Sequence, residues 1–129
     1  MIETNDRKSL VEYRIHQAEE TTELAAFLLE NNKLTLAVNR IYYGMYYALT
    51  ALAIQNSFET SKHAQLIGWF NKEFIAAGKL DKKYGKILRN AFQNRTKSDY
   101  DAFIEFTNEE VEVLLFEMKE FILKIKSLL

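Results

Sequence analysis

Three stretches of this chain carry small or apolar residues at successive spacings of four, three, four, three and four, and no other feature restricts the fold as much. Val11, Ile15, Ala18, Thr22, Ala25 and Leu29 form the first series. Ala37, Ile41, Gly44, Ala48, Ala51 and Gln55 form the second, and Val111, Leu115, Met118, Ile122, Ile125 and Leu129 the third. Such spacing keeps one stripe of a helix turned toward a partner, whereas a half-buried strand alternates at every second residue. A sheet would also need Gly and Pro where its turns take special dihedrals, and the 129 residues include four Gly and no Pro. We therefore expect one all-α domain over residues 1–129, with a core large enough to be stable unaided.

Breaks in the pattern divide the chain into five helical segments. The first runs from about Asp6 to Glu30 and is ended by Asn31, Asn32 and Lys33; the second runs from about Leu34 to Gln55. The second seam is built of small residues, which let another helix approach closely, and the tyrosines and leucines around it predict a central buried helix. Ser61 is a candidate N-cap for a third helix that carries Leu66, Ile67, Phe70 and Phe74 and stops before Gly78. Asp81 is a candidate cap for a fourth, with Tyr84, Ile87, Leu88, Ala91 and Phe92 inward and Lys82, Lys83, Lys86 and Arg89 on or near the other side. Periodicity then weakens, so the polar segment Arg95 to Asp101 reads as the functional loop. Thr107 and Glu110 form a capping box for the last helix. Short connections favour antiparallel neighbours, hence an up-and-down bundle of four long helices plus a shorter one. Three apolar seams exceed what one small core absorbs, and a homodimer would bury the surplus.

Composition excludes several kinds of chemistry. With no Cys there is no disulfide, thiolate zinc site or cysteine nucleophile. His16 and His63 lack an i, i+4 histidine partner, and the residues three positions before them are Tyr13 and Thr60 rather than the Glu of a di-iron bundle. No two of Gly44, Gly68, Gly78 and Gly85 are close enough for a nucleotide-binding glycine loop. No metal or cofactor is expected. Met1 to Lys8 is polar and mixed in charge, so no secretory leader is expected. The longest apolar run, Ile41 to Ile54, falls short of the roughly 20 residues that span a bilayer. We expect a cytoplasmic protein without membrane contact.

The formal net charge of −1 conceals a strong asymmetry. Residues 62–97 hold nine Lys or Arg against Glu73 and Asp81, a local charge of +7, which leaves −8 on the remainder. A basic face of this kind attracts phosphate, unless the lysines are only solvated. Arg40 is the one charge between Lys33 and Glu59, on the most apolar helix. It must reach the surface, pair with a carboxylate such as Asp99 or Asp101, or bind an anion, because an unpaired buried guanidinium costs several kcal/mol. Paired carboxylates such as Asp99 and Asp101 are suited to acid–base work, although acids so placed commonly serve as caps.

Five features together resemble the HEPN family, small helical domains named for their occurrence in higher eukaryotes and prokaryotes and for nucleotide binding. They are Ala37 to Leu49, similar to an A-x-x-R-x-Y-Y-A second helix; Ser61-Lys62-His63, similar to a K-x-H opening of the third; Phe70 to Gly78; Arg95 followed by Ser98-Asp99-Tyr100-Asp101, similar to R-x-x-A-D-Y; and the closing amphipathic helix. The resemblance implies a homodimeric bundle, nucleotide or RNA binding, and partnership with a minimal nucleotidyltransferase in a toxin-antitoxin-like system. Its ribonuclease branch uses Arg, four to six residues, then His. After Arg95 and four intervening residues stands Tyr100, followed by Asp101 and Ala102, so that His is missing. Tyrosine, with a free pKa near 10, replaces it poorly. We thus expect Arg40, Tyr43, Arg95, Lys97 and Tyr100 to bind phosphate. The alternatives are a metal-independent ribonuclease with a degenerate Arg-x4-Tyr motif using Arg95, Tyr100, Asp99 or His63, and a purely structural dimerisation module.

Overall fold

The computed structural model describes residues 4–129; residues 1–3, part of the stretch read as lacking a leader, lie outside the described residues. Helices α1 (Thr4–Glu30), α2 (Leu34–Gln55), α3 (His63–Phe70), α4 (Lys82–Tyr100) and α5 (Asn108–Lys126) follow in order, with a π-helical turn, Asn71–Ala76, after α3. The described residues include no strand. Long-range contacts fix the directions. Gln55 Nε2 at the end of α2 donates to the Leu128 carbonyl just past the end of α5, so these two helices run parallel. Arg95 near the end of α4 meets Tyr43 in the first half of α2, so that pair is antiparallel. The up-and-down bundle expected from the seams is the observed architecture.

Helix α2 lies at the centre and packs against α1, α3, α4 and α5. Its seam residues Ala37, Ile41, Gly44, Ala48 and Ala51 are buried, whereas Gln55 is exposed and turns to the chain end. At Gly44 a Cβ atom would overlap the Met118 methyl of α5 and press on Thr21 of α1, so three helices converge where this position has no side chain. Thr21 is the buried polar residue of α1, and its hydroxyl is satisfied by donation to the Gln17 carbonyl at 2.7 Å.

Three ends share one stop. At Asn32, Ser57 and Gly78 the backbone turns left-handed, with φ of 59°, 59° and 77°. The following amide reaches back five residues in each case, Lys33 to Leu28, Phe58 to Ala53 and Lys79 to Phe74. These are Schellman closures, which satisfy carbonyls that a helix end would otherwise orphan. At the start of α5, Thr107 Oγ1 accepts from the Glu110 amide at 3.1 Å while Glu110 reaches back to the Thr107 amide. Thr107→Ala is expected to lower stability by about 1 kcal/mol, read as a lower urea midpoint at unchanged m value.

Two local expectations are corrected. Ser61 does not cap α3; Lys62 occupies that position with no side-chain cap, and the Lys62 amide instead donates to Thr60 Oγ1 at 3.1 Å. The segment Arg95 to Asp101 is not a loop, because α4 continues to Tyr100. Polar side chains hold that last stretch: Thr96 Oγ1 donates to the Phe92 carbonyl, Ser98 Oγ to the Arg95 carbonyl, and Arg95 pairs with Asp99 at i, i+4. None of these contacts leaves an apolar period to read. Asp81 does cap α4, its Oδ1 accepting from the Lys83 amide at 2.8 Å. No helix among the described residues is long and apolar enough to cross a membrane.

Candidate anion site between α2, α3 and α4

The spacing of Asn39, Arg40, Tyr43, Tyr46 and Tyr47 leaves these side chains half-buried along α2, beside the fully buried Tyr42. Successive rings in this row lie 5.3–6.3 Å apart in edge-on and tilted pairs, the geometry that aromatic quadrupoles favour. Two guanidiniums converge on it. Arg40 lies with Cζ 4.9 Å from the centre of the Tyr43 ring, and its Nε and Nη2 both donate to Asn39 Oδ1, at 3.0 and 2.7 Å. Arg95, arriving from α4, donates from Nη2 to Tyr43 Oη at 2.9 Å and places Cζ 5.3 Å from the same ring and 5.6 Å from that of Tyr42.

Among the described residues, one carboxylate pairs with these two cations. Asp99 Oδ2 lies 3.0 Å from Arg95 Nε, yet that buried N–H finds no hydrogen-bond acceptor, so the contact is ionic and badly angled. Asp101 forms no ion pair with Arg40; its Oδ1 accepts from the Phe103 amide at 3.0 Å. The expected alternative of an Arg40 bridge to Asp99 or Asp101 is therefore replaced by an Arg95–Asp99 pair within α4 and an Arg40–Asn39 pair within α2. The cause is the helical extension of α4, which sets Asp99 one turn above Arg95.

Of the residues singled out from the sequence, the structure gathers Arg40, Tyr43, Arg95 and Asp99. Tyr100 and Lys97 stand apart: both are exposed, and Tyr100 keeps 87 % of its surface. On a helix, residue i+5 is about 140° round from residue i, so continuation of α4 turns Tyr100 away from Arg95. The fold supplies a different neighbour. His63, the first residue of α3, stacks on Tyr46 with ring centres 4.2 Å apart and planes 8° from parallel. Its Nδ1 lies 2.6 Å from Tyr42 Oη, and Arg95 and His63 flank the same pair of rings, Tyr42 and Tyr43. No sequence spacing pointed to this, since His63 and Arg95 belong to different helices; the Lys62-His63 motif was its one trace.

The environment sets the protonation states. Burial pushes the Tyr42 hydroxyl far above its ordinary pKa, so it stays a donor. Burial first, and then the Arg95 charge, hold His63 below the ordinary imidazole value, so it is neutral at pH 7. A Tyr42 hydroxyl that donates to Nδ1 leaves the imidazole proton on Nε2, where His63 offers a neutral hydrogen-bond donor near the Arg95 charge. The unfolded chain binds the His63 proton more readily than the fold does, so this group's stabilising effect is complete above the unfolded pKa near 6.5 and declines as pH falls from there toward the lower folded value. Wild type should therefore lose more stability between pH 7.5 and 5 than His63→Asn does, a difference that chemical denaturation at each pH will measure.

A separate groove of about 460 Å³, lined by Val11, Ile15, Gln55, Lys126 and Leu129 among others, opens at the other end of the bundle. Gln55 is roughly 18 Å along α2 from Tyr43, so the groove takes no part in this cluster.

Comparison with known proteins places the arrangement in a family. The chain is 34% identical over 125 residues to a UPF0332 protein of Thermotoga maritima, covering 97% of this chain and 95% of that one. Two Methanocaldococcus jannaschii proteins, each named "putative toxin", are 35% and 32% identical, covering 95% and 96% of this chain and 83% and 92% of theirs. The HEPN domain family profile matches residues 11–128, which takes in α2, His63 and Arg95 alike, and the chain belongs to the HEPN domain family.

Proposed function

We propose that this chain is a homodimer that binds a nucleotide or RNA phosphate through Arg95, assisted by Arg40 and Tyr43. In this proposal it works in the cytoplasm as the non-catalytic partner of a minimal nucleotidyltransferase in a toxin-antitoxin-like system. The observation that carries the proposal is the pair of guanidiniums on one tyrosine ring with, among the described residues, one poorly aligned carboxylate, Asp99, paired to Arg95. Such a site has positive charge and unspent donors to offer an anion, and forked guanidiniums match phosphate oxygens in pairs. Exposed Tyr13, Leu24 and Phe27 on α1 and Leu36 on α2 supply apolar surface for a second copy. Fluorescence anisotropy with labelled ATP and an RNA panel tests the binding. Binding that is lost in Arg95→Ala supports it, and no binding to any member of the panel overturns it.

A ribonuclease is the second reading, favoured by His63 standing across two tyrosine rings from Arg95 and by the names of the two archaeal relatives. In that case imidazole comes from α3 in place of the position occupied by Tyr100. A neutral imidazole whose Nδ1 is engaged by Tyr42 has a hydrogen bond to offer but no proton to give as a general acid, which favours binding over catalysis. Cleavage of RNA in EDTA that disappears in His63→Ala would reverse this preference.

A further inference from the structure

The basic residues of α4 do not all serve the Arg95 site. Lys82, Lys86, Arg89, Gln93, Lys97 and Tyr100 follow one another at spacings of four, three, four, four and three, and all six are exposed. At the helical repeat they fall within a strip about 80° wide and roughly 27 Å long. Arg95 lies on the opposite side of the same helix, turned to Tyr42 and Tyr43. Lys83 is also off the strip, paired with Glu120 of α5 at 2.7 Å. Lys82, Lys86, Arg89 and Lys97 make no ion pair among the described residues.

The strip ends at two aromatic rings with no partner. Tyr100 is 87 % exposed and Phe103, just beyond the helix, 93 %. Asp101 stands between them, and its Oδ1 is engaged by the Phe103 amide, which orients the turn carrying the ring. A bare phenylalanine in water forfeits its burial free energy, a cost that a flat apolar ligand would recover.

On the reading that this chain binds RNA, we propose that the outer face of α4 is a track for single-stranded RNA. Its backbone runs along Lys82, Lys86, Arg89 and Lys97, and its unpaired bases stack on Tyr100 and Phe103. Cations one or two helical turns apart follow a flexible phosphate chain, and the −8 carried by the residues outside 62–97 focuses attraction on this face. The aromatic end selects the single strand, since base faces in a duplex are already stacked and cannot reach a side chain. The track is separate from the Arg95 cluster, which faces the other side of α4.

The test is anisotropy with a labelled single-stranded RNA of roughly 12 nucleotides, long enough to span the strip, over a KCl series. The Lys86→Gln/Arg89→Gln pair should make the slope of log affinity against log salt shallower by about 1.4, from about 0.7 per phosphate contact on a single strand. Phe103→Ala should weaken binding about tenfold while leaving that slope unchanged, as loss of one stacked base does. All three side chains are exposed, so circular dichroism melts should match wild type. Unchanged affinity and slope in the double variant overturn the track, as does a duplex of equal length bound as tightly as the single strand. Competition by poly-glutamate equal to that by RNA also overturns it and indicates an acidic protein partner. ATP binding that is lost in Arg95→Gln but kept in the double variant, with no single-strand binding, removes the track and leaves the Arg95 proposal standing. Loss of both removes both.

Discussion

Arg95→Ala is expected to weaken binding of a nucleotide or RNA phosphate by about thirtyfold to a thousandfold, the roughly 2–4 kcal/mol that truncating one member of a buried charge-assisted contact costs. The fold should survive. Arg95 gives up one hydrogen bond to Tyr43 and one ion pair to Asp99, a carboxylate 37% exposed that water can resolvate. The melting temperature should therefore move by a few degrees at most while affinity collapses. A residue acting only as a structural pin would give the reverse, a lower melting point and no ligand effect. Arg95→Lys refines the test: it keeps the charge and loses the planar fork, so it should recover part of the affinity and less of the specificity for phosphate. Titration calorimetry or anisotropy on the three proteins, beside their melts, separates these outcomes.

Phe121→Ala should have the largest effect on stability, about 3–5 kcal/mol for an aromatic side chain removed from a close-packed core. Phe121 is fully buried on α5 and packs edge-on against Phe70, ring centres 5.7 Å apart. Phe70 in turn stacks on Phe74 at 5.8 Å, and Phe74 meets Trp69 at 5.4 Å. Phe121 thus clamps the end of α3 and the π turn to α5. Domains of this size are stable by roughly 5–15 kcal/mol in total, so the variant sits close to the threshold for folding. A urea titration should show a midpoint lowered by a third or more. A loss under 1 kcal/mol would mean that the α3 segment packs elsewhere and that the placement of His63 beside Tyr42 is wrong.

Much of this fold is legible in the chain because its causes are periodic. The three seams, the Thr107 box and the Asp81 cap are local patterns, and helices α2 and α5 begin where those patterns begin. The end of α4 was misread for a physical reason: Arg95, Thr96, Ser98 and Asp99 stabilise a helix through side-chain bonds to its own backbone and to each other, without an apolar stripe. The π turn is equally silent, since Phe70 and Phe74 sit four apart whether the helix is α or π. That misreading displaced part of the site. A loop would have left Tyr100 free to approach Arg95; a helix fixes it on another face.

The amino-acid sequence by itself determined the helical class, the bundle topology and the central place of α2, and it singled out Arg40, Tyr43 and Arg95, which the fold brings together, because each rests on spacing along one segment or on a motif within it. Only the tertiary structure decided which charges meet. It paired Asp99 with Arg95, left Arg40 without a carboxylate among the described residues, and carried His63 from α3 to the rings that Arg95 touches. It also divided the +7 block between an inward guanidinium and an outward strip of cations on α4. Contacts between helices depend on how their faces are rotated against one another, and side-chain packing across the whole core sets that rotation.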